Sequence, residues 1–489
     1  MGDFLSTIND YVWGIPMIVL IMGVGIFLTI GLKGIQMRKL PLALKYMFSN
    51  EEDGEGDISS FAALCTALSA TIGTGNIVGV ATAIVAGGPG ALFWMEIAAL
   101  LGMATKYAEG LLALRYRIFD KNGSALGGPF YYIENGMGSK WRWLGKLFAL
   151  FGLLAGLLGI GTFTQINGIT SAAQSFFDPA NQNTVSLFGQ NYSWAVIIAG
   201  AIVTLATAVV LIGGVKRIAQ VAEVIVPAMI VVYVGLCLLM VVLNFSKLPM
   251  AFSQVIEGAF GLRAVSGGAL GAMIVALQKG VARGIFSNES GLGSAPIAAA
   301  AAKTNEPVRQ GLVSMTGTFI DTILVCTMTG LAIILTGAWE TGLDGAAVTI
   351  YAFSAALPFS DAVCSFLLMM CLSFFAFTTI IGWNYYSERC LSYLTNGSQT
   401  GAKIFRVVHI LAIFAGPYMT ISAVWTLADI FNGLMAFPNL IALIVLSPIV
   451  FRETRSFFTR LQTDGSVLPV EEAIDEVDIV LPTELGLEE

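Results

Sequence analysis

Two stretches of this chain put glycine, hydroxyl and amide side chains in the middle of long apolar runs. The first is Ser69-Ala70-Thr71-Ile72-Gly73-Thr74-Gly75-Asn76. The second is Phe286-Ser287-Asn288-Glu289-Ser290-Gly291-Leu292-Gly293-Ser294-Ala295-Pro296. Glycine holds a helix poorly and suits irregular backbone. Unwound backbone in an apolar segment survives only where protein, water or a ligand satisfies it. The chemistry on offer is recognition rather than bond-breaking. Half-helix N-termini present N–H groups to a carboxylate, and unwound carbonyls coordinate a cation. A single GxG would serve equally for close helix packing. The GTGN at 73–76 lacks a following GK[ST], which argues against a nucleotide loop.

Membrane helices must carry these stretches. The chain has 489 residues, 56% hydrophobic and only 12% charged, with a mean hydropathy of +0.80. That composition excludes an ordinary soluble enzyme and a disordered regulator. Lys plus Arg is 25 against Asp plus Glu 32, so no basic surplus exists to neutralise phosphates. The six cysteines lie in apolar stretches without a CxxC pair and read as small buried hydrophobes. With His409 the only histidine, a His-based zinc or haem site is excluded, and no HExxH motif supports an intramembrane enzyme. The opening MGDFLSTIND carries acid where a signal peptide needs Lys or Arg.

Spanning helices need about 20 mostly apolar residues. Eleven candidate spans follow: 11–32, 59–86, 90–117, 144–174, 193–214, 217–243, 266–302, 307–337, 359–394, 403–428 and 434–451. Segments after the odd-numbered spans, taken together with the adjoining ends of the spans, hold 20 Lys and Arg; the opposite side holds Lys247 and Arg263. That asymmetry predicts an outside N-terminus and a cytoplasmic C-terminus. Residues 49–57 read as an acidic cytoplasmic turn, 175–192 as a polar outer loop, and the acidic stretch after Arg460 as largely disordered.

With span 1 set aside, the two glycine interruptions fall in the first and the sixth of ten helices. Five plus five is an inverted repeat, since an odd repeat unit must flip. Paired interrupted helices at matching positions point to a transporter's central site. The predicted organisation is 1–58 (outer segment, first span and cytoplasmic loop), 59–243 (first repeat), 244–451 (second repeat) and 452–489 (acidic tail). Channels need a filter of repeated loops or charge rings, and neither is visible.

At these residues the chain resembles the alanine or glycine:cation symporter family of prokaryotes. The matching stretches are SATIGTGNIVGVATAI (69–84), GGPGALFWM (87–95), GGPFYYIENGMG (127–138) and GVARGIFSNESGLGSAP (280–296). The resemblance covers about residues 5 to 455. It implies sodium-coupled uptake of alanine and glycine at the plasma membrane. The fold it implies is an all-α membrane protein of eleven helices, with a leucine-transporter-type 5+5 inverted repeat preceded by one extra N-terminal helix. Two departures stand out: Glu96 where the family usually has Trp, and Ser290 where it usually has Ala.

By analogy with that fold, one sodium site joins the carbonyls of Ser69 and Ile72 to Phe375, Thr378 and Thr379. The stretch FFAFTTIIGW independently shows two adjacent threonines in an apolar run, although each could bond its own i−4 carbonyl. A second possible cation site uses Thr71, Asn76, Ser287 and Thr318. The substrate carboxylate is expected on the N–H groups of Gly73, Thr74 and Gly75, and the ammonium near Ser287, Glu289 and Ser290. Gln165 is a candidate polar wall or a packing amide. Phe286 and Trp383 would close the pocket, leaving room for hydrogen or methyl; Trp383 could instead be an interfacial anchor. Lys106, Glu109, Lys279, Arg283, Glu289 and Asp321 are ionisable within spans and expected to be paired inside. Arg283 and Glu289 could form a gate, and Asp321 is the candidate carrier if coupling were to protons. The expected partners are a small amino acid, sodium as coupling ion and the lipid bilayer. No other cofactor, no nucleic acid and no obligate protein partner is expected.

Overall fold

The computed structural model describes residues 7–463 apart from 10, 50, 52, 53, 122, 188, 262–267 and 420. Arg263 and most of the acidic tail expected to be disordered, residues 464–489, lie outside the described residues. The elements that matter here are helical. In chain order they are α1 (Ile15–Gly31), α2 (Ser60–Thr71), α3 (Val80–Gly87), α4 (Gly90–Arg115), α5 (Arg142–Leu158), α6 (Phe163–Phe177), α7 (Trp194–Ile212), α8 (Gly214–Leu243), α9 (Leu248–Ala259), α10 (Ala269–Asn288), α11 (Ala295–Ala299), α12 (Pro307–Thr318), α13 (Thr327–Thr336), α14 (Ala346–Ala356), α15 (Asp361–Leu394), α16 (Gln399–Ala415) and α17 (Ile421–Thr463). Serine caps several of them by accepting an N–H of the first turn. Ser59 takes Ala62 N–H, Ser193 takes Ala195 N–H and Ser398 takes Gly401 N–H.

Among the described residues, nine helices are long and apolar enough to cross a membrane. A tenth arises if Ser60–Thr71 and Gly75–Gly87, bent by 54° at their break, form one span. The eleventh expected span corresponds to α1, which has 17 residues. The outer flanks of α7 and α8 expose Ile198, Ile202, Leu205, Val224 and Val231, as a lipid-facing surface requires.

The last two spans are partitioned differently from the sequence reading. Pro417 sits where one helix ends, and Asp429 and Asn432, read as a loop, lie inside α17. An acid persists there because Arg283 pairs with it. The span expected at 144–174 is interrupted at residues 159–162. A β-carbon at Gly161 would stand 2.5 Å from Trp383 Cβ, so glycine lets α15 approach the gap. Two helices in the connections, α9 and α14, were not expected. The loop before α7 carries a hairpin pairing Thr184–Leu187 with Gln190–Ser193.

Candidate functional site

The first break begins at Ile72, whose ψ of 96° takes the chain out of α2. The helix resumes as a π-turn, Gly75–Gly79, continuous with α3. Side chains take several of the groups freed by the break. Asn76 Oδ1 accepts Gly73 N–H at 2.9 Å, and Gln165 Oε1 accepts Thr74 N–H at 3.1 Å. Thr379 Oγ1 lies 3.2 Å from the Ile72 carbonyl and 3.0 Å from the Phe375 carbonyl, donating to both. Gly73 is required by this crowding, because a β-carbon there would sit 2.5 Å from Thr379 Oγ1 and 2.9 Å from Gln165 Oε1.

The second break follows α10. Glu289 adopts φ 56°, Gly291 φ 87° and Gly293 φ 81°, a run of left-handed backbone that two glycines make affordable. Asn288 Oδ1 accepts Ser290 N–H at 2.9 Å. Glu109 on α4 accepts Gly291 N–H at 3.1 Å and Asn439 Nδ2–H at 2.7 Å. Asn439 also donates to the Gly291 carbonyl at 2.9 Å and accepts from the Tyr132 hydroxyl. Glu289 accepts from Trp383 Nε1 at 2.8 Å and from the Ser294 hydroxyl.

A third irregular segment faces both breaks. Phe319–Cys326 is a π-helical stretch between α12 and α13, and it carries Asp321. The Asp321 carboxylate accepts from Asn76 Nδ2 (2.8 Å), Ser287 Oγ (2.8 Å) and Thr322 Oγ1 (2.7 Å). It is fully buried, and none of the ion pairs among the described residues involves it. A buried carboxyl group held by neutral donors favours either a cation nearby or a proton of its own.

The structure therefore gathers most of the sequence-selected residues. Gly73, Thr74, Gln165, Ile72, Phe375 and Thr379 meet at the first break. Gly75 faces Phe286 and Ser287, to which its β-carbon would approach within 3.2 and 3.4 Å. Asn76 and Ser287 meet through Asp321. Thr318 stands apart from them, its hydroxyl 2.9 Å from that of Ser290. Thr71 lines a small cavity with Lys106 and Asn288. Thr378 turns away and donates to the carbonyls of Phe374 and Phe375. The Ser69 hydroxyl donates to Thr66 O, and its oxygen lies 2.6 Å from where a Gly382 β-carbon would be. Trp383 is fully buried at the broken helix, so it is not an interfacial anchor.

Arg283 does not pair with Glu289. It forks onto Asp429 of α17 at 3.2 and 3.1 Å and lies 5.5 and 5.4 Å from the Phe286 and Trp425 rings, which are 5.2 Å apart. Trp13 Nε1 donates to the Asp429 carbonyl at 2.7 Å. This cluster abuts a cavity of about 290 Å3 lined by Trp13, Gln278, Lys279 and Arg283. The sequence reading missed Trp425 and Asp429. The signal was a lone acid four residues after a tryptophan, one helical turn, in an apolar run. Asn439 and Tyr132 were also missed.

Among the described residues no group of three His, Cys, Asp or Glu is arranged to hold a metal. The chemistry at the first break suits a hard monovalent cation instead, with neutral carbonyl and hydroxyl oxygens from two helices.

The family model described as "Sodium:alanine symporter family" matches residues 1–471. An uncharacterized transporter of Haemophilus influenzae is 54% identical over 94% of this chain and 97% of its own length. The sodium/alanine symporter AgcS of Methanococcus maripaludis is 45% identical over 93% of this chain and 97% of its own. The probable sodium/glutamine symporter GlnT of Bacillus subtilis is 38% identical over 94% and 90%. The crystal structure of MhsT in complex with L-phenylalanine shares the fold, with a TM-score of 0.55 at 14% identity, over 82% of this chain and 99% of that one. It is a leucine-transporter-type fold. The chain belongs to the sodium:alanine symporter family of multi-pass membrane transporters.

Proposed function

We propose that this protein is a sodium-coupled symporter that carries alanine and glycine into the cell across a prokaryotic plasma membrane by alternating access. The observation that carries the reading is the Thr379 hydroxyl, placed between the carbonyls of Ile72 and Phe375 beside backbone that Gln165 caps. Sodium would take those carbonyls and the hydroxyl, with the Ser69 carbonyl as a further ligand; Thr378 would join the set only by turning its hydroxyl from its own helix. The substrate carboxylate would take the Thr74 N–H from Gln165 and share the Gly73–Gly75 turn. The ammonium would sit toward Ser287, Glu289 and Ser290. Phe286 and Trp383 would bound the side chain, and Trp383 is held in place by Glu289.

The wider frame belongs to the same proposal. The N-terminal helix stands before two inverted five-helix repeats, 59–243 and 244–451, making eleven spans with the N-terminus outside. A second cation would lie by Asn76 and Ser287, with Thr71 and Thr318 as outer members of the set.

Asp321 favours one competing reading, a proton-coupled amino acid carrier of the same fold. It is buried, central and bonded only to neutral donors. Labelled alanine uptake into proteoliposomes separates the two. Uptake driven by an inward sodium gradient at equal pH supports sodium coupling. Uptake driven by a proton gradient alone overturns it in favour of Asp321.

A further inference from the structure

Arg117 lies two residues past the end of α4 and belongs to neither broken helix, yet it joins both. Its Nη1 donates to the carbonyls of Ala300 (3.2 Å) and Ala302 (2.8 Å). Its Nη2 donates to the carbonyls of Glu55 (3.0 Å) and Thr304 (2.9 Å) and to Asn305 Oδ1 (3.4 Å). Those acceptors sit on two segments. One leads into α2, the first half of the first broken helix. The other leaves α11, the last part of the second.

Main-chain bonds already stitch the two segments together. Asp57 N–H donates to Ala301 O at 2.9 Å, Lys303 N–H to Ile58 O at 2.7 Å and Thr304 N–H to Glu55 O at 3.1 Å. The contact is tight: β-carbons at Gly54 and Gly56 would stand 2.7 and 2.4 Å from the carbonyl oxygens of Lys303 and Ala302. Arg309 adds a pair with Glu51 at 3.2 Å. On the far side of residues 57–62 a cleft of about 330 Å3 opens, lined by Asp57, Ser59, Ala62, Lys216 and Glu223. The start of α2 therefore has a partner on one side and space on the other.

We infer that Arg117 is the latch of the cytoplasmic gate, holding the inner ends of the two broken helices together until α2 swings toward that cleft. The face is the one that the Lys and Arg asymmetry assigns to the cytoplasm. A guanidinium suits the task because its planar fork reaches several carbonyls at once, which a single ammonium cannot do. The inference rests on alternating access but not on the identity of substrate or ion.

The test reads access directly. Ala67 lines the small cavity between α2, α11 and α12 behind the latch, and all six native cysteines are buried. Ala67→Cys is introduced, and a membrane-impermeant maleimide is applied to the face bearing Arg117. Arg117→Ala should raise labelling of Ala67→Cys about tenfold, the scale expected when charge-assisted hydrogen bonds are lost. Arg117→Lys should raise it by a smaller factor. The five native cysteines outside α2 should stay unlabelled, because unfolding would expose them, whereas Cys65 moves with α2. Unchanged labelling at position 67 with those five cysteines protected overturns the latch. If the alanine variant exposes those five, Arg117→Lys decides by the same reading. The labelling does not depend on uptake, so its failure is distinct from a failure of sodium coupling.

Discussion

Gly73→Ala presses hardest on the contact on which the sodium reading depends, and less closely on Gln165, whose Oε1 would stand 2.9 Å away. The backbone at Gly73 lies outside the left-handed region, so alanine is conformationally acceptable there and the protein should fold. The added β-carbon would nevertheless stand 2.5 Å from Thr379 Oγ1, where ordinary contact begins at 3.4 Å. The hydroxyl or the break must therefore give by the difference, 0.9 Å. The hydroxyl cannot retreat by that much and still bridge Ile72 and Phe375, which it meets at 3.2 and 3.0 Å. Misplacement of about 1 Å in a positioned site costs roughly 100-fold. That corresponds to about 2.7 kcal/mol of lost sodium binding. Gly75→Ala is the control, since its β-carbon would meet Phe286 Cδ1 at 3.2 Å and should disturb alanine more than sodium. The assay is the initial rate of labelled alanine uptake by proteoliposomes, titrated with sodium. A Gly73→Ala protein with the native half-saturating sodium concentration would refute the assignment of Thr379 to the ion.

Other perturbations follow from the same geometry. Asp321→Asn removes the charge and turns one of the two acceptor oxygens, which serve Asn76 and Ser287 separately, into a donor, so uptake should fall about 100-fold in a sodium titration, since hydrogen bonds to charged groups are worth about 1.5–3 kcal/mol each; native uptake would remove Asp321 from coupling. Trp383→Ala removes the indole that bounds the pocket and donates to Glu289, so unlabelled leucine should become a competitor of alanine uptake. Absence of competition would place the size limit elsewhere. At the face bearing Arg117, burial raises the Glu306 carboxyl from 4.5 to about 7, against the pull of Arg460. The native state then holds a proton between those pH values that the unfolded chain releases, so this group's contribution to stability falls as pH rises through the window. Glu306→Gln should melt above the native protein at pH 8 and converge with it near pH 4.5; a constant difference across that range would contradict the shift.

The broken helices were legible because glycine, hydroxyl and amide side chains are conspicuous in an apolar run. The geometry within them was less so. Adjacent threonines project about 100° apart around a helix, so Thr379 turns to Ile72 while Thr378 bonds its own helix. The sequence marks both equally. Ser290 and Thr318 look like separate polar residues until packing joins them. Asp429 was hidden because an acid in an apolar stretch reads as a loop, and only its distant partner Arg283 keeps it in a helix. Arg117 was counted as a loop charge, because its acceptors are main-chain carbonyls, which no sequence pattern marks.

The most direct measurement of the central claim is alanine binding to the purified protein by calorimetry, with and without sodium. If the two ligands share the first break, sodium raises alanine affinity, alanine raises sodium affinity by the same factor, and Thr379→Ala abolishes both effects. Alanine binding of equal affinity with sodium absent would contradict the account.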